Sequence, residues 1–136
     1  MDAGDDRRME RTRTHLDTHV LIWLYAGDVA KLSKKAKSCI DQSDLWISPI
    51  VLLELEYLHI KKVITVPPSD LVQIMRSQIG LQISSAKFAQ VVTQSLSLEW
   101  TRDPFDRLIV GNAISDHALL LTKDRAILQN YSEATW

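Results

Sequence analysis

The sequence predicts an α/β protein, with a short and mostly parallel sheet covered by helices on both faces. Two observations carry this. Strand-like runs of four or five residues, "THLD", "LWIS", "LQIS" and "ALLLT", alternate with longer helix-type segments along the chain, the pattern of βαβ units. No internal repeat or low-complexity linker interrupts the alternation, and 46% of the 136 residues are apolar, enough for one core without disulfide support.

The elements follow from local chemistry. "THLD" at 14–17 is the first strand candidate, and "THVLIWLYA" then forms a helix ended by Gly27-Asp28. Ser33 suits an N-cap, with Ala36, Cys39 and Ile40 at helical spacing behind it. "LWIS" is strand-like, and Pro49 suits the first turn of the helix "PIVLLELEYLHIKK". Pro67-Pro68-Ser69-Asp70 breaks the chain before the helix "DLVQIMRSQ", and Gly80 leads into "LQIS". Ser84 or Ser85 is expected to cap "AKFAQVVTQSLSL". "FDRLIVGNAISDH" is the next helix, "ALLLT" a strand, "KDRAIL" a short helix and "SEATW" a last strand. In such sheets, ligands bind beyond the carboxyl ends of the strands. Asp17 and Asp124 fall at two of those ends.

Bulk properties narrow the function. Cys39 is the single cysteine, which excludes an internal disulfide and a thiolate zinc cluster and points to a reducing cytoplasm. The four histidines, His15, His19, His59 and His117, lack paired zinc spacing. No apolar run approaches the about 20 residues of a membrane span. A net charge of −1 gives no bulk case for nucleic acid, so any basic surface is local. Candidates are Arg7, Arg8, Arg11 and Arg13, then Lys31, Lys34, Lys35 and Lys37, which also fit a solvated helix face. Residues 1–13 are expected to form a flexible polar arm, or sequence upstream of a start at Met9, with the folded domain over 14–136.

Four acids stand out by context: Asp17, Glu54, Asp106 and Asp124. Helical spacing sets Asp106 beside Ile109, Val110 and Ala113, where an uncompensated charge is costly. Glu54 and Glu56 lie on similar apolar rows, and spacing does not choose between them. Asp17, Asp103 and Asp124 also fit plain helix N-caps, and Asp106 fits an ion pair with Arg102 or Arg107. Converging acids without zinc ligands favour a hard divalent cation, Mg²⁺ or Mn²⁺. Such a site suits metal-assisted phosphodiester hydrolysis. A haloacid-type phosphoryl enzyme needs a second acid two residues after Asp17, where this chain has His19.

The stretches "LDTHVLIWL", "ISPIVLLELEYL", "RDPFDRLIVGNA" and "LLLTKDRAI" stand in one order over residues 14–136. Together they resemble the PIN-domain nucleases, and among them the VapC-type toxins of toxin–antitoxin pairs that carry the "RDPFDR" motif. The resemblance implies a three-layer α/β/α fold and a Mg²⁺- or Mn²⁺-dependent endoribonuclease with one or two ions. It places the family's acids on Asp17, Glu54, Asp106 and Asp124, so choosing Glu54 over Glu56. It gives Asp103 and Thr122 auxiliary roles, with Thr18 similar to Thr122. Lys31, Lys34, Lys35 and Arg107 are then candidate phosphate contacts. It further implies an RNA substrate, a small cognate antitoxin that blocks the site, a homodimer drawing on helices such as "LVQIM", and a cytoplasmic protein without membrane association. A catalytically silent PIN module and a housekeeping RNA-processing PIN nuclease stand as alternatives. "LLELEYLHIKK" departs from the usual pattern of the family, as does the polar "RTRTHL" before Asp17.

Overall fold

The computed structural model describes residues 11–136. The basic residues Arg7 and Arg8 and the alternative start Met9 lie outside the described residues. Strand β1 spans Thr12–Leu16, so it begins inside the stretch expected as an arm. Helix α1 (Thr18–Ala26) follows at once and ends on Gly27, whose φ of 70° closes the helix in the left-handed region that glycine enters without steric cost. A short 3₁₀ turn, Val29–Lys31, leads to α2 (Lys34–Gln42), capped by Ser33 Oγ accepting from Ala36 N at 2.9 Å as the sequence predicts. Strand β2 (Ser43–Ile47) and helix α3 (Ile50–Ile60) come next, then α4 (Pro68–Ile79) and the two-residue strand β3 (Gln82–Ile83). Helices α5 (Phe88–Ser95) and α6 (Pro104–Ser115) precede β4 (Leu119–Leu121), α7 (Arg125–Asn130) and β5 (Ala134–Thr135).

All four strand pairings are parallel, in the order β3-β2-β1-β4-β5. The first strand in sequence is therefore the central one. Chain order runs outward from it on one side through β2 and β3, and on the other through β4 and β5. The reversal lies between β1 and β4, and a crevice opens beyond the carboxyl ends of neighbouring strands at such a reversal. There Asp17 N donates to Leu121 O at 3.1 Å, carrying the ladder one residue past β1.

The carboxyl-terminal half of strand β1 is covered on both faces, and its polar residues Thr14 and His15 are accommodated by pairing. Thr14 is buried and donates to Ser43 Oγ at 2.9 Å on the side of α2. His15 is buried on the opposite side, its Nε2 2.7 Å from Asp116 Oδ2. Ser84 Oγ donates to the same oxygen at 2.6 Å, and Asn112 Nδ2 reaches both Ser84 Oγ (2.8 Å) and Asp116 Oδ2 (3.3 Å). Burial opposes the charge on Asp116, but the bonds from His15 and Ser84 outweigh it and hold the carboxyl below its ordinary range. This resolves the polar first strand. In "RTRTHL", Arg11, Thr12 and Arg13 stay exposed, while Thr14, His15 and Leu16 are buried, the histidine against a carboxylate 101 residues later.

One expectation needs correcting. Neither Ser84 nor Ser85 caps α5, which begins at Phe88 behind Lys87 without a side-chain cap. Ser84 is committed to Asp116 instead. The "LVQIM" residues Leu71, Val72 and Met75 turn into the core, leaving Ile74 as the exposed apolar side chain of that run.

Gly111 marks where α6 meets α5. A β-carbon there would lie 2.7 Å from Val91 O and 3.2 Å from Ser95 Cβ, closer to backbone than packing allows. Gly111→Ala is expected to lower stability by about 1–3 kcal/mol despite alanine's better helix propensity, measured by urea unfolding. An unchanged or raised midpoint would show that the two helices separate freely.

Candidate active site

Each of the four acids is placed by a local rule. Asp17 directly follows β1 and is the N-cap of α1, its Oδ1 accepting from Thr18 N at 2.8 Å. Asp124 caps α7, with Oδ1 accepting from Ile127 N at 3.0 Å. Asp106 sits in the first turn of α6, one turn after the cap Asp103, whose Oδ1 accepts from Phe105 N at 2.8 Å. Glu54 lies mid-way along α3 and accepts from Thr18 Oγ1. The capping readings are therefore correct for Asp17, Asp103 and Asp124, and capping leaves each carboxylate a second oxygen.

Thr122 joins two of the segments. Its buried hydroxyl donates to Asp17 Oδ2 at 2.7 Å and accepts from Asp124 N at 3.0 Å. One side chain thus fixes the first-strand acid against the loop that carries the last. Thr18 does the same between α1 and α3 through its bond to Glu54. Glu56 points elsewhere, with Oε1 3.6 Å from His59 Nδ1. Tyr57 and Phe105 meet edge to face, centroids 5.9 Å apart, and tie α3 to the start of α6 beside these acids.

The acids influence one another strongly. Asp106 is half-buried, and burial is the first cause that pushes its carboxyl up to about 7; the charges of Asp103, Asp124, Asp17 and Glu54 follow. Glu54 is also raised, chiefly by burial, against the opposing bond from Thr18 and with Asp17 adding to the rise. Asp106 is not held by Arg107, whose Nε instead donates to Thr101 O at 2.7 Å. Among the described residues, no three Asp, Glu, His or Cys side chains close into a ready-made ion cage. The donor set consists of carboxylate and hydroxyl oxygens in an open arrangement, with Asp103 and Asp124 exposed. That fits a hard cation that keeps several of its own waters rather than one enclosed by protein ligands.

The expected phosphate contacts separate. Lys31 lies beside α1, whereas Lys35 lines a cleft of about 560 Å³ with Thr12 and Glu133, at the amino end of the sheet and away from the acids. Lys34 opens α2 and is exposed. Sequence reasoning missed Lys123, Trp23 and Trp136, which gather near Asp124, and the His15–Asp116 pair. Only the position of Lys123 before a strand-end acid could have signalled the first of these.

The model of the PIN domain family matches residues 15–133. The chain belongs to the PIN domain family. Solved structures similar to this PIN domain include VapBC2 from Rickettsia felis bound to a promoter DNA fragment, at 21% identity over 87% of this chain and 92% of that one, TM-score 0.63. A toxin–antitoxin complex from Klebsiella pneumoniae matches at 19% identity over 90% and 96%, TM-score 0.63. DNA-bound VapBC from Salmonella typhimurium matches at 19% over 86% and 91%, TM-score 0.61. A comparison with curated protein sequences gives no significant match. At these identities the structures share the α/β fold, and the parallel sheet flanked by helices agrees with it.

A carboxyl raised by folding stabilises the fold only while protonated. The contribution of Asp106 is present below about pH 4 and is lost as pH rises through about 7. Without added divalent cation, Asp106→Asn should therefore melt progressively higher than the native protein as pH goes from about 4 to about 8, the gap levelling off above that. A gap that stays constant with pH would remove Asp106 from the cluster.

Proposed function

We propose that this PIN domain is a divalent-cation-dependent endoribonuclease and the toxin of a toxin–antitoxin pair. The observation that carries the reading is the gathering of Asp17, Glu54, Asp106 and Asp124, from four separate segments, beyond the strand ends at the sheet's reversal. The Asp106 carboxyl is raised first by burial and then by the charges of Asp103, Asp124, Asp17 and Glu54 around it. An arrangement that costs stability in the protein alone is the mark of a functional rather than a structural site.

Asp17, Glu54, Asp106 and Asp124 would hold Mg²⁺ or Mn²⁺, as one or two ions. The bound cation supplies a Lewis acid that stabilises the negative charge gathering on a phosphodiester under attack. The protein's part is orientation. Thr122 holds Asp17 Oδ2, Thr18 holds Glu54, and the caps at α1 and α7 fix the remaining rotamers. In the cation-free protein, Asp106 takes up a proton as pH falls through about 7, which lowers the charge of the cluster. Asp103 acts as an auxiliary acid, shaping the first turn of α6 that carries Asp106. The exposed edge suits a polymer, and single-stranded RNA is the form in which unpaired bases are accessible to a protein.

The similar structures from Rickettsia felis, Klebsiella pneumoniae and Salmonella typhimurium support a small antitoxin as partner. A guanidinium from that partner, reaching the carboxylates, would neutralise the cluster in place of a cation. The homodimer belongs to the same proposal. With most of "LVQIM" turned inward, the apolar surface open to it includes a cleft of about 900 Å³ lined by Leu52, Leu53, Pro67 and Pro68. The described residues contain no helix long and apolar enough to cross a membrane.

Asp17→Asn should reduce cleavage of single-stranded RNA at least about a hundredfold while the melting curve stays cooperative. Chelation should abolish the native activity, and Mg²⁺ should restore it and raise the melting temperature. Undiminished cleavage by a folded, nuclease-free Asp17→Asn preparation would end this reading. A native protein that neither cleaves nor gains stability from Mg²⁺ would be a silent module.

A further inference from the structure

Trp23 gathers two cations beside the acid cluster. It lies on α1 and is partly buried. Trp136 meets its ring edge-on with centroids 5.7 Å apart, and His19 lies at 6.2 Å. Lys31 Nζ sits 5.6 Å from the Trp23 centroid and Lys123 Nζ 6.0 Å from it. The two lysines come from unrelated segments, the 3₁₀ turn after α1 and the loop between β4 and α7. Lys31 is half-exposed and also faces Asp28 Oδ2 at 3.5 Å. Lys123 is exposed and immediately precedes Asp124.

Two ammonium groups drawn to one ring repel each other. The indole ring attracts each of them and so biases both side chains toward its own neighbourhood. An anion reaching both would relieve the repulsion. The location says which anion. A polyanion approaching the acids is repelled by them, and a cationic flank adjoining Asp124 offsets that repulsion where the chain must pass.

We propose that Lys31 and Lys123, held over the Trp23 ring, form a phosphate-binding pair that takes the backbone of the RNA substrate on the α1 side of the acid cluster, with Trp23 as the positioning residue. The inference rests on the nuclease reading. It selects Lys31 from the lysines that the sequence offered, adds Lys123, and excludes Lys35, which lies at the opposite end of the sheet.

The test measures binding of a labelled single-stranded oligoribonucleotide to the full chain carrying Asp17→Asn, at fixed Mg²⁺ over a range of NaCl. Adding Lys31→Gln or Lys123→Gln should flatten the plot of log affinity against log salt by about 0.7 each, and by about 1.4 together. Lys35→Gln should leave it unchanged. Trp23→Leu should weaken binding about three- to tenfold at moderate salt, and Trp23→Phe should restore most of it. Melting curves confirm that each variant is folded. Unchanged slopes in the folded lysine variants overturn the proposal. If Asp17→Asn alone still abolishes cleavage in that case, the nuclease reading stands without the pair. A native protein that neither binds nor cleaves the RNA overturns both. Unchanged RNA slopes with lost binding of poly-glutamate would assign the pair to an acidic protein segment and overturn the proposal as well.

Discussion

The hydroxyl of Thr122 is the joint on which the acid cluster depends. It is buried, it donates to Asp17 and it accepts from the amide of Asp124, so a single oxygen fixes the relation between the central strand and the loop after its neighbour. Like charges at that place would otherwise drive the two segments apart. The bond works because the ladder between β1 and β4 has already brought Leu16 opposite Leu121. Backbone pairing sets the approach, and the hydroxyl turns that approach into a defined orientation of carboxylates.

A second polar joint serves the other face of β1. Three donors, from a strand, a loop and a helix, converge on one oxygen of Asp116. The arrangement brings together a serine, a histidine and an aspartate, but serine and histidine both bond to the carboxylate and not to each other. It therefore lacks the nucleophile-to-base bond of a hydrolytic triad. Its role is to seat α6 against β1 and thus to aim Asp106, which lies on the same helix, toward the strand ends. With Gly111 allowing α5 to press close behind, α6 is pinned from two directions.

What the sequence discloses and what it hides divide by range. Ser33, Gly27 and Pro49 act on neighbours within a turn, and the helices start or stop where they stand. Asp17, Asp103 and Asp124 cap helices by the same short-range chemistry. Two of the candidate acids were thus placed at strand ends from spacing alone, whereas the choice of Glu54 over Glu56 came from resemblance, since α3 is apolar almost all round. The structure sets Glu54 against Thr18, a contact no periodicity encodes. Ser84 misled because the capping chemistry of a serine is also what a remote carboxylate seeks, and Asp116 prevailed. The gathering of Lys31 and Lys123 on Trp23 lay equally out of reach, because it depends on where three unconnected segments end in space.

The strand order carries a consequence for the chain as it is made. Among the described residues the first strand occupies the centre of the sheet, and its partner on one side, β4, follows β2, β3 and helices α1 to α6 in the chain. A nascent chain can pair β1 with β2 early, yet Asp17 stays without Thr122, Asp124 and the closing ladder until the segment from β4 onward has emerged. Any fragment released prematurely carries an unfinished centre. A chain cut before β4 therefore loses the setting of Asp17 together with one neighbour of the central strand.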